Sequence, residues 1–139
     1  MITYDEFSEI DMRVGKIVKV EEFPEARKPT YKVQVDFGDE IGLKWSSVQA
    51  KREYTKEELL GIQVIGVVNF PVKNIAGFIS EVLLLGVRRD DDSLSLLEPS
   101  RKPAKIAAKY TRFDFTATAP ACYIKAYFQK SIQKSGSND

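Results

Sequence analysis

The segment from Asn69 to Gly86, NFPVKNIAGFISEVLLLG, carries the strongest structural signal in the chain. Residues 62–68 before it are mostly apolar, its first half is punctuated by proline and glycine, and a second apolar run begins at Ser80 and Glu81. This pattern predicts two strands that hold a polar loop between them, an arrangement that commonly builds binding sites. Because an unpaired buried carboxylate is costly, we expect Glu81 to be hydrogen-bonded or to face solvent.

Two capping boxes predict short helices. Thr3-Tyr4-Asp5-Glu6 has an N-cap threonine with a glutamate three residues later, and the helix that it opens is expected to end near Ile10. Thr55-Lys56-Glu57-Glu58 repeats the signal, and Gly61 closes that helix.

The first two predicted strands follow the N-terminal helix. Met12 to Phe23 forms a long strand, in which simple alternation would point Lys16 inward. We therefore predict a bulge at Gly15, which would restore the register. From Tyr31 to Phe37, apolar and polar residues alternate cleanly, as in a half-buried strand.

A third strand continues this alternation. Its apolar side takes the odd-numbered residues from Ile41 to Trp45, so Lys44 and Ser46 are predicted to face outward. Two orientations stay open for Trp45, toward a binding groove or toward the core.

The order of these elements predicts the fold. Residues 93–97 add a further short strand, which ends before Pro99. About five strands, with a small helix between the third and fourth, match an OB-fold. The sequence thus predicts an all-β, five-stranded Greek-key barrel with short helices at the N-terminus and between strands 3 and 4.

Composition is consistent with one domain. A chain of 139 residues that is 43% hydrophobic and 29% charged is long enough for one core and too apolar for a disordered protein. A single cysteine, Cys122, excludes an internal disulfide. The sequence has no membrane span and no signal-peptide pattern, so we expect a cytoplasmic protein.

The missing residue types argue against catalysis. The chain has no histidine, which removes the commonest general base and the commonest metal ligand. No glycine-rich phosphate loop occurs. Asp90-Asp91-Asp92 follows Arg88-Arg89 in a predicted hairpin turn, where solvated acids are ordinary. We therefore expect no enzyme activity, no metal and no cofactor.

Basic and polar residues cluster where OB-folds bind ligands. Lys32 and Gln34 lie on the second strand, Arg27 and Lys28 precede it, and Lys73 lies in the distal loop. Cations with hydroxyls and an aromatic residue are typical of RNA recognition. A formal net charge of +1 means that any RNA site is local. The alternative is that these lysines only keep the surface soluble.

An ordered set of segments resembles the CsaA family, the stand-alone relatives of the tRNA-binding domain of some aminoacyl-tRNA synthetases. The segments cover roughly the first hundred residues at family spacing. They are Met12–Ile17, Glu22–Arg27, Asp36–Gly38, Glu40–Gly42, Lys44, Ser46–Ser47, Val67–Pro71, Ile75–Phe78 and Ser80–Leu83.

The resemblance implies an OB-fold homodimer linked to tRNA binding and to chaperoning of proteins destined for export. Extensions at both ends of the barrel would make the subunit contact. Carried over by position, the binding residues are Asn69, Lys73, Ile75, Gly77, Ser80 and Glu81, backed by Lys44, Ser46 and Ser47. Scaffold roles stand beside binding roles for Asn69, Gly77 and Glu81.

Two functions follow. The first is a non-catalytic tRNA-binding module. The second is a peptide-binding chaperone, which suits the apolar residues Trp45, Phe70, Ile75 and Phe78 around the loop. Trp45 departs from the family pattern, in which a polar residue is usual at this position.

The two ends of the chain are expected to serve other roles. Tyr4, Phe7 and Ile10 share one face of the first helix, which is too short to be stable undocked, so we predict that they contact a second copy. We assign residues 1–111 to the binding domain and 112–139 to an extension. Ile124, Tyr127, Phe128 and Ile132 predict an amphipathic helix there, followed by a disordered end.

Overall fold

A computed structural model describes residues 1–111 and 124–125. These residues form mainly β-strands, with three short helices among them. In chain order the elements are α1 (Tyr4–Ser8), β1 (Met12–Glu22), β2 (Tyr31–Asp36), α2 (Gly38–Ile41), β3 (Leu43–Val48), α3 (Lys56–Leu59), β4 (Gln63–Val67), β5 (Lys73–Ile75), β6 (Phe78–Ser80), β7 (Leu83–Leu84), β8 (Gly86–Arg88), β9 (Leu94–Leu96), β10 (Tyr110–Thr111) and β11 (Ile124–Lys125).

Five antiparallel strands make one sheet in the order β3-β2-β1-β4-β7. The sheet curls into a nearly closed barrel, with α1 before it and α3 between β3 and β4. The prediction of an all-β, five-stranded barrel of the OB type is confirmed.

Both capping boxes are present. Thr3 Oγ1 accepts a hydrogen bond from Glu6 N at 3.2 Å, and the Glu6 carboxylate accepts one from Thr3 N. Thr55 and Glu58 repeat the exchange at the start of α3. The first helix ends at Ser8, slightly earlier than predicted.

The predicted bulge at Gly15 is wrong. The ladder between β1 and β2 shifts between Ile17 and Lys19, which leaves Val18 as the extra residue. As a result Lys19, and not Val18, pairs with Gln34 on β2.

Residues on both faces of β1 are buried, which explains why alternation along this strand predicted the bulge at the wrong position. Gly15 faces the barrel interior, where an added Cβ would lie 2.5 Å from Val35 Cγ1 and 2.7 Å from Phe37 Cε1. Val14 faces the other way, yet it is buried because residues 107–108 lie alongside and exchange backbone hydrogen bonds of 2.9 and 2.8 Å with it. Val14 on the outer face of β1 is therefore as buried as Ile17 on its inner face.

The hydrophobic core fills the barrel. A second, smaller cluster of Val14, Ile65 and Ala108 lies outside the barrel wall. The largest fully buried side chains of the interior are Phe37, Ile17, Leu59, Val33, Val35 and Val64.

The predicted outward orientation of Lys44 and Ser46 is also wrong. Both residues pair with fully buried valines of β2, so they lie on the inner face of β3. Ser46 is 1% exposed, whereas Leu43 is 54% exposed. The alternation of β2 does not carry over, because α2 and Gly42, with φ of +83°, intervene between the strands.

The loop predicted within 69–86 contains a hairpin of its own. β5 and β6 pair across Ala76 and Gly77, whose φ angles of 49° and 86° fit the two-residue turn that favours hairpins. Asn74 Oδ1 accepts a hydrogen bond from Gly77 N at 2.9 Å. The strand expected after Ser80 is reduced to β7.

The chain after the barrel is described only in part. β10 and β11 pair in parallel, so the backbone at Ile124–Lys125 is extended rather than helical. The remainder of the predicted amphipathic helix and the predicted disordered end lie outside the described residues. None of the helices in 1–111 is long and apolar enough to cross a membrane.

Candidate functional site

Glu81, just before β7, makes two of the hydrogen bonds that close the barrel against β3. Glu81 N donates a hydrogen bond of 2.8 Å to Trp45 O, and the Glu81 carboxylate accepts one of 2.9 Å from Trp45 N. Beside this pair, the Ser46 hydroxyl donates to Val82 O at 2.8 Å. The hydrogen-bond requirement predicted for Glu81 is met by the edge of β3.

Beyond this closure the seam opens into a groove of about 460 Å³. Residues of β3, of the β5–β6 hairpin and of β7, β8 and β9 line it. Its lining includes Ser46, Ser47, Gln49, Phe70, Lys73, Ile75, Ser80, Glu81, Leu83 and Arg88.

The groove has cations at its rim. Lys73 is exposed and has no ion-pair partner within the described residues. Arg88 is also exposed, and its guanidinium contacts Asp92 through a backbone hydrogen bond of 3.1 Å and an ion pair of 3.7 Å. Glu81 is the lone carboxylate among the described groove residues, and its hydrogen bond to Trp45 N occupies it.

A second surface lies on the outer face of the barrel, beside the groove. We call it the aromatic cluster, and it consists of Phe23, Trp45, Phe78, Lys19 and Lys32. The Phe78 ring meets Phe23 at 5.4 Å and Trp45 at 6.2 Å, both edge to face. Lys32 Nζ lies 4.8 Å from the Phe23 centroid and 5.2 Å from that of Phe78, and Lys19 Nζ lies 5.9 Å from that of Trp45.

The orientation of Trp45, left open by the sequence, is outward. Trp45 pairs with Gln34, which in turn pairs with Lys19, so the three side chains form a row across β3, β2 and β1. The indole is half-buried against Phe78 and lines neither the barrel core nor the groove.

The structure divides the predicted binding residues between these places. Trp45 and Phe78 belong to the aromatic cluster, Lys44 lies on the inner face of β3, and Gly77 lies in the hairpin turn. Arg27 and Lys28 are exposed in the loop after Phe23. Those that line the groove are Ser46, Ser47, Phe70, Lys73, Ile75, Ser80 and Glu81.

Asn69 ties the N-terminal segment to the barrel. Its Oδ1 accepts a hydrogen bond from Asp11 N at 2.9 Å, and its Nδ2 donates one to Glu9 O at 2.7 Å. Asn69 does not line the groove. The geometry gives it a scaffold role.

The sequence did not predict two basic residues of these surfaces, Lys19 in the aromatic cluster and Arg88 in the groove. Lys19 joins the aromatic cluster only because the bulge at Val18 turns it to the outer face, and no local sequence signal marks that bulge. Arg88 reaches the groove because the β8–β9 hairpin folds back against the seam.

An ion-pair group lies at the end of β1 near the loop of Arg27 and Lys28. Glu22 contacts Lys51 and Lys56, and Lys51 also lies over the Tyr31 ring at 6.0 Å. The hydrogen bond from Lys51 is the main cause that holds the pKa of Glu22 below its usual value. This group neutralises cations that would otherwise add to a basic surface.

The described residues contain no group of three or more acids and cysteines that could hold a metal ion. The chain also has no histidine. The groove and the aromatic cluster present hydroxyls, ammonium groups, a guanidinium and aromatic faces.

Comparison with known proteins identifies the family. Residues 12–106 match the family model "Putative tRNA binding domain". The crystal structure of a CsaA chaperone protein from Picrophilus torridus is 50% identical, with a TM-score of 0.75 over 80% of this chain and 100% of that one. A chaperone CsaA structure from Bacillus anthracis is 40% identical, with a TM-score of 0.74 over 80% and 99% of the two chains.

A methionine–tRNA ligase from Pyrococcus furiosus is 40% identical over 108 residues, which are 78% of this chain and 14% of the ligase. The chain thus spans a small part of the ligases that it matches. The family match covers most of the barrel, and the CsaA structures are matched over nearly their whole length. The chain belongs to the CsaA family of tRNA-binding-domain proteins.

Proposed function

We propose that this chain binds tRNA as a non-catalytic module and that the groove is its principal contact. The observation that carries the proposal is the groove rim, where Lys73 and Arg88 flank a floor that holds the hydroxyls of Ser47 and Ser80. Cations of this kind attract the phosphate backbone, and hydroxyls donate to phosphate and ribose oxygens.

Local charge fits this proposal better than overall charge does. The net charge is +1, so attraction to RNA depends on where the cations lie. The single groove carboxylate, Glu81, is engaged by Trp45 N, which reduces repulsion of a phosphate. A tRNA ligand and a chain with a single cysteine also fit a cytoplasmic protein.

We further propose that the protein acts as a homodimer through α1. Tyr4 and Phe7 on this helix are half-buried, as is Ile10 just after it, and Ile2 before it is 67% exposed. A helix of five residues has little stability of its own. Pairing two copies would also present two grooves to one structured RNA.

A second candidate function, binding of unfolded polypeptides bound for export, is favoured by a different observation. Phe70 and Leu83 line the groove and are each 48% exposed. Apolar side chains of this exposure beside the edge of β3 suit an extended peptide. The similar CsaA structures are described as chaperones.

The test is a competition between the two ligands on the full chain. Unfractionated tRNA is titrated into the protein at several salt concentrations, with and without a permanently unfolded export precursor. We expect tRNA to bind with an affinity that falls as salt rises, and the precursor to compete weakly. Binding of the precursor alone, with no tRNA binding at low salt, would replace the first proposal with the second.

A further inference from the structure

The aromatic cluster lies outside the groove, and the half-buried indole of Trp45 is its largest ring. We infer that the cluster is a stacking subsite for an unpaired nucleotide of the bound RNA. The inference rests on the proposed function, because it assigns to tRNA binding a second contact on the outer face.

The first support is the way in which the indole is held. Phe78 packs edge to face against Trp45, with an interplanar angle of 87°, and Phe23 packs behind Phe78 at 65°. Both main-chain polar groups of Trp45, N and O, are hydrogen-bonded to Glu81. A half-exposed ring anchored in this way can stack on a base with little loss of conformational freedom.

The second support is the two lysines. Lys32 has no ion-pair partner among the residues described, and Lys19 pairs with Glu21 at 3.4 Å on the exposed surface. Exposed pairs of this kind contribute little energy, so both ammonium groups are available to a phosphate. Lys19 lies 5.9 Å from the Trp45 centroid, near the outer limit of a cation–π contact, so a base can displace it from the ring face.

The third support is Gln34, which lies directly opposite Trp45 on β2. Within 1–109, its side-chain amide makes no hydrogen bond to another residue. A carboxamide beside a stacked base can donate to and accept from the polar edge of that base.

These features favour an unpaired nucleotide over the alternatives. In a duplex the base faces are covered by their neighbours, so a paired base cannot stack on Trp45. An apolar peptide would bury the ammonium groups of Lys19 and Lys32 without a partner, which is costly. A stacked base with the phosphates on its two sides satisfies the ring and both charges.

The experiment measures emission of Trp45, the only tryptophan, in the full-length protein. The probes are a short oligoadenylate and a blunt RNA duplex. We expect saturable quenching by the oligoadenylate and little change with the duplex. No quenching of the wild-type protein by the single strand, or equal quenching by the duplex, would overturn the inference. So would an emission change with an unfolded polypeptide alone.

Variants test the same subsite by affinity. Trp45→Ala should weaken oligoadenylate binding roughly ten-fold or more, the size of one base-stacking contact, and Trp45→Phe should recover most of the loss. Leu43→Ala is the matched control, because Leu43 is an exposed apolar residue on the same face of β3 outside the cluster. Equal affinities for Trp45→Ala, Trp45→Phe and wild type would overturn the inference.

Variants of the two lysines test the proposed phosphate contacts without changing an aromatic residue. Lys19→Gln and Lys32→Gln should each lower the log–log salt dependence of oligoadenylate binding by about 0.7. An unchanged slope in both variants would contradict the subsite.

A titration with unfractionated tRNA separates the two proposals. If tRNA binds the wild-type protein with equal affinity in Trp45→Ala, and the single strand leaves the indole unquenched, the subsite falls while the proposed function stands. If neither tRNA nor oligoadenylate binds, both fall.

Discussion

Glu81 holds the main chain of Trp45 by both of its polar groups, with hydrogen bonds of 2.8 and 2.9 Å. Glu81 lines the groove, and Trp45 belongs to the aromatic cluster. One residue therefore helps to close the barrel and also joins the two surfaces that we assign to RNA. A disturbance of this contact should be felt in stability and in binding.

Glu81→Ala should lower the free energy of unfolding by about 1.5–3 kcal/mol. The substitution leaves Trp45 N without its carboxylate acceptor, and hydrogen bonds to charged groups are worth this much. Glu81→Gln keeps an acceptor oxygen and should cost about half as much. Chemical denaturation measures all three proteins.

Glu25→Ala serves as the control for these variants, since Glu25 is an exposed acid in the loop after Phe23. Its unfolding should match wild type to within about 0.5 kcal/mol. Equal stability of Glu81→Ala and Glu25→Ala would show that the hydrogen bond from Trp45 N to the Glu81 carboxylate contributes nothing.

Gly15→Ala should destabilise the barrel by about 1–3 kcal/mol. The added Cβ would lie within 3 Å of Val35 and Phe37, and a packed core gives way only at a cost of this order. Lys16→Ala, at the exposed neighbouring position, should have little effect. A well-tolerated alanine at position 15 would mean that Gly15 does not face the core as described.

Light scattering should give a mass about twice 15.7 kDa at micromolar concentration. Phe7→Asp should shift the protein toward the monomer, because it places a charge within the apolar stripe of α1. Ser8→Asp adds the same charge at an exposed position of that helix and should leave the dimer intact. A wild-type monomer would end the proposal of dimerisation through α1.

Stability should be constant between about pH 6 and about pH 7, because no histidine titrates there. Below that range it should fall. The pKa values of Glu22 and Asp91 are lowered in the folded protein, chiefly by hydrogen bonds from Lys51 and Ser93 respectively. Their contribution is therefore present above the unfolded pKa and is lost as the pH falls through the folded one.

Thermal unfolding at a series of pH values checks this dependence. Glu22→Gln should flatten the acid limb, because it removes one carboxylate whose pKa differs between the folded and unfolded states. A change in midpoint between about pH 6 and about pH 7 would point to a titrating group that we have not considered.

Elements with strong local signals were predictable from sequence. The capping boxes of α1 and α3 satisfy their own backbone groups, so nothing distant is needed to define where these helices begin. The alternation of β2 likewise reflects burial on one face of one strand.

Features that depend on distant contacts were not predictable in this way. The facing of Lys44 and Ser46 is set by the pairing of β3 with β2 after the turn at Gly42, and alternation cannot be extended through such a turn. The burial of Val14 comes from residues 107–108, which are far away in sequence.

The sequence predicted which segment of the chain supplies part of the candidate site, but not which residues from other segments lie beside it. The segment 69–86 supplies Lys73, Ser80 and Glu81 to the groove, as its composition suggested. Arg88 depends on the position of the β8–β9 hairpin against the seam, and Lys19 depends on a bulge. The sequence predicts the hairpin turn, but neither the position of the hairpin nor the bulge leaves a mark in nearby sequence.

The groove is tested most directly by the salt dependence of tRNA affinity in the double variant Lys73→Gln, Arg88→Gln. Each phosphate contact contributes roughly 0.7–0.9 to the log–log slope, so losing two should lower it by roughly 1.4–1.8. Lys16→Gln is the control, since Lys16 is an exposed lysine that lines neither the groove nor the aromatic cluster. We expect weaker binding and the smaller slope in the double variant only; a folded double variant with the affinity and slope of wild type would contradict tRNA binding in the groove.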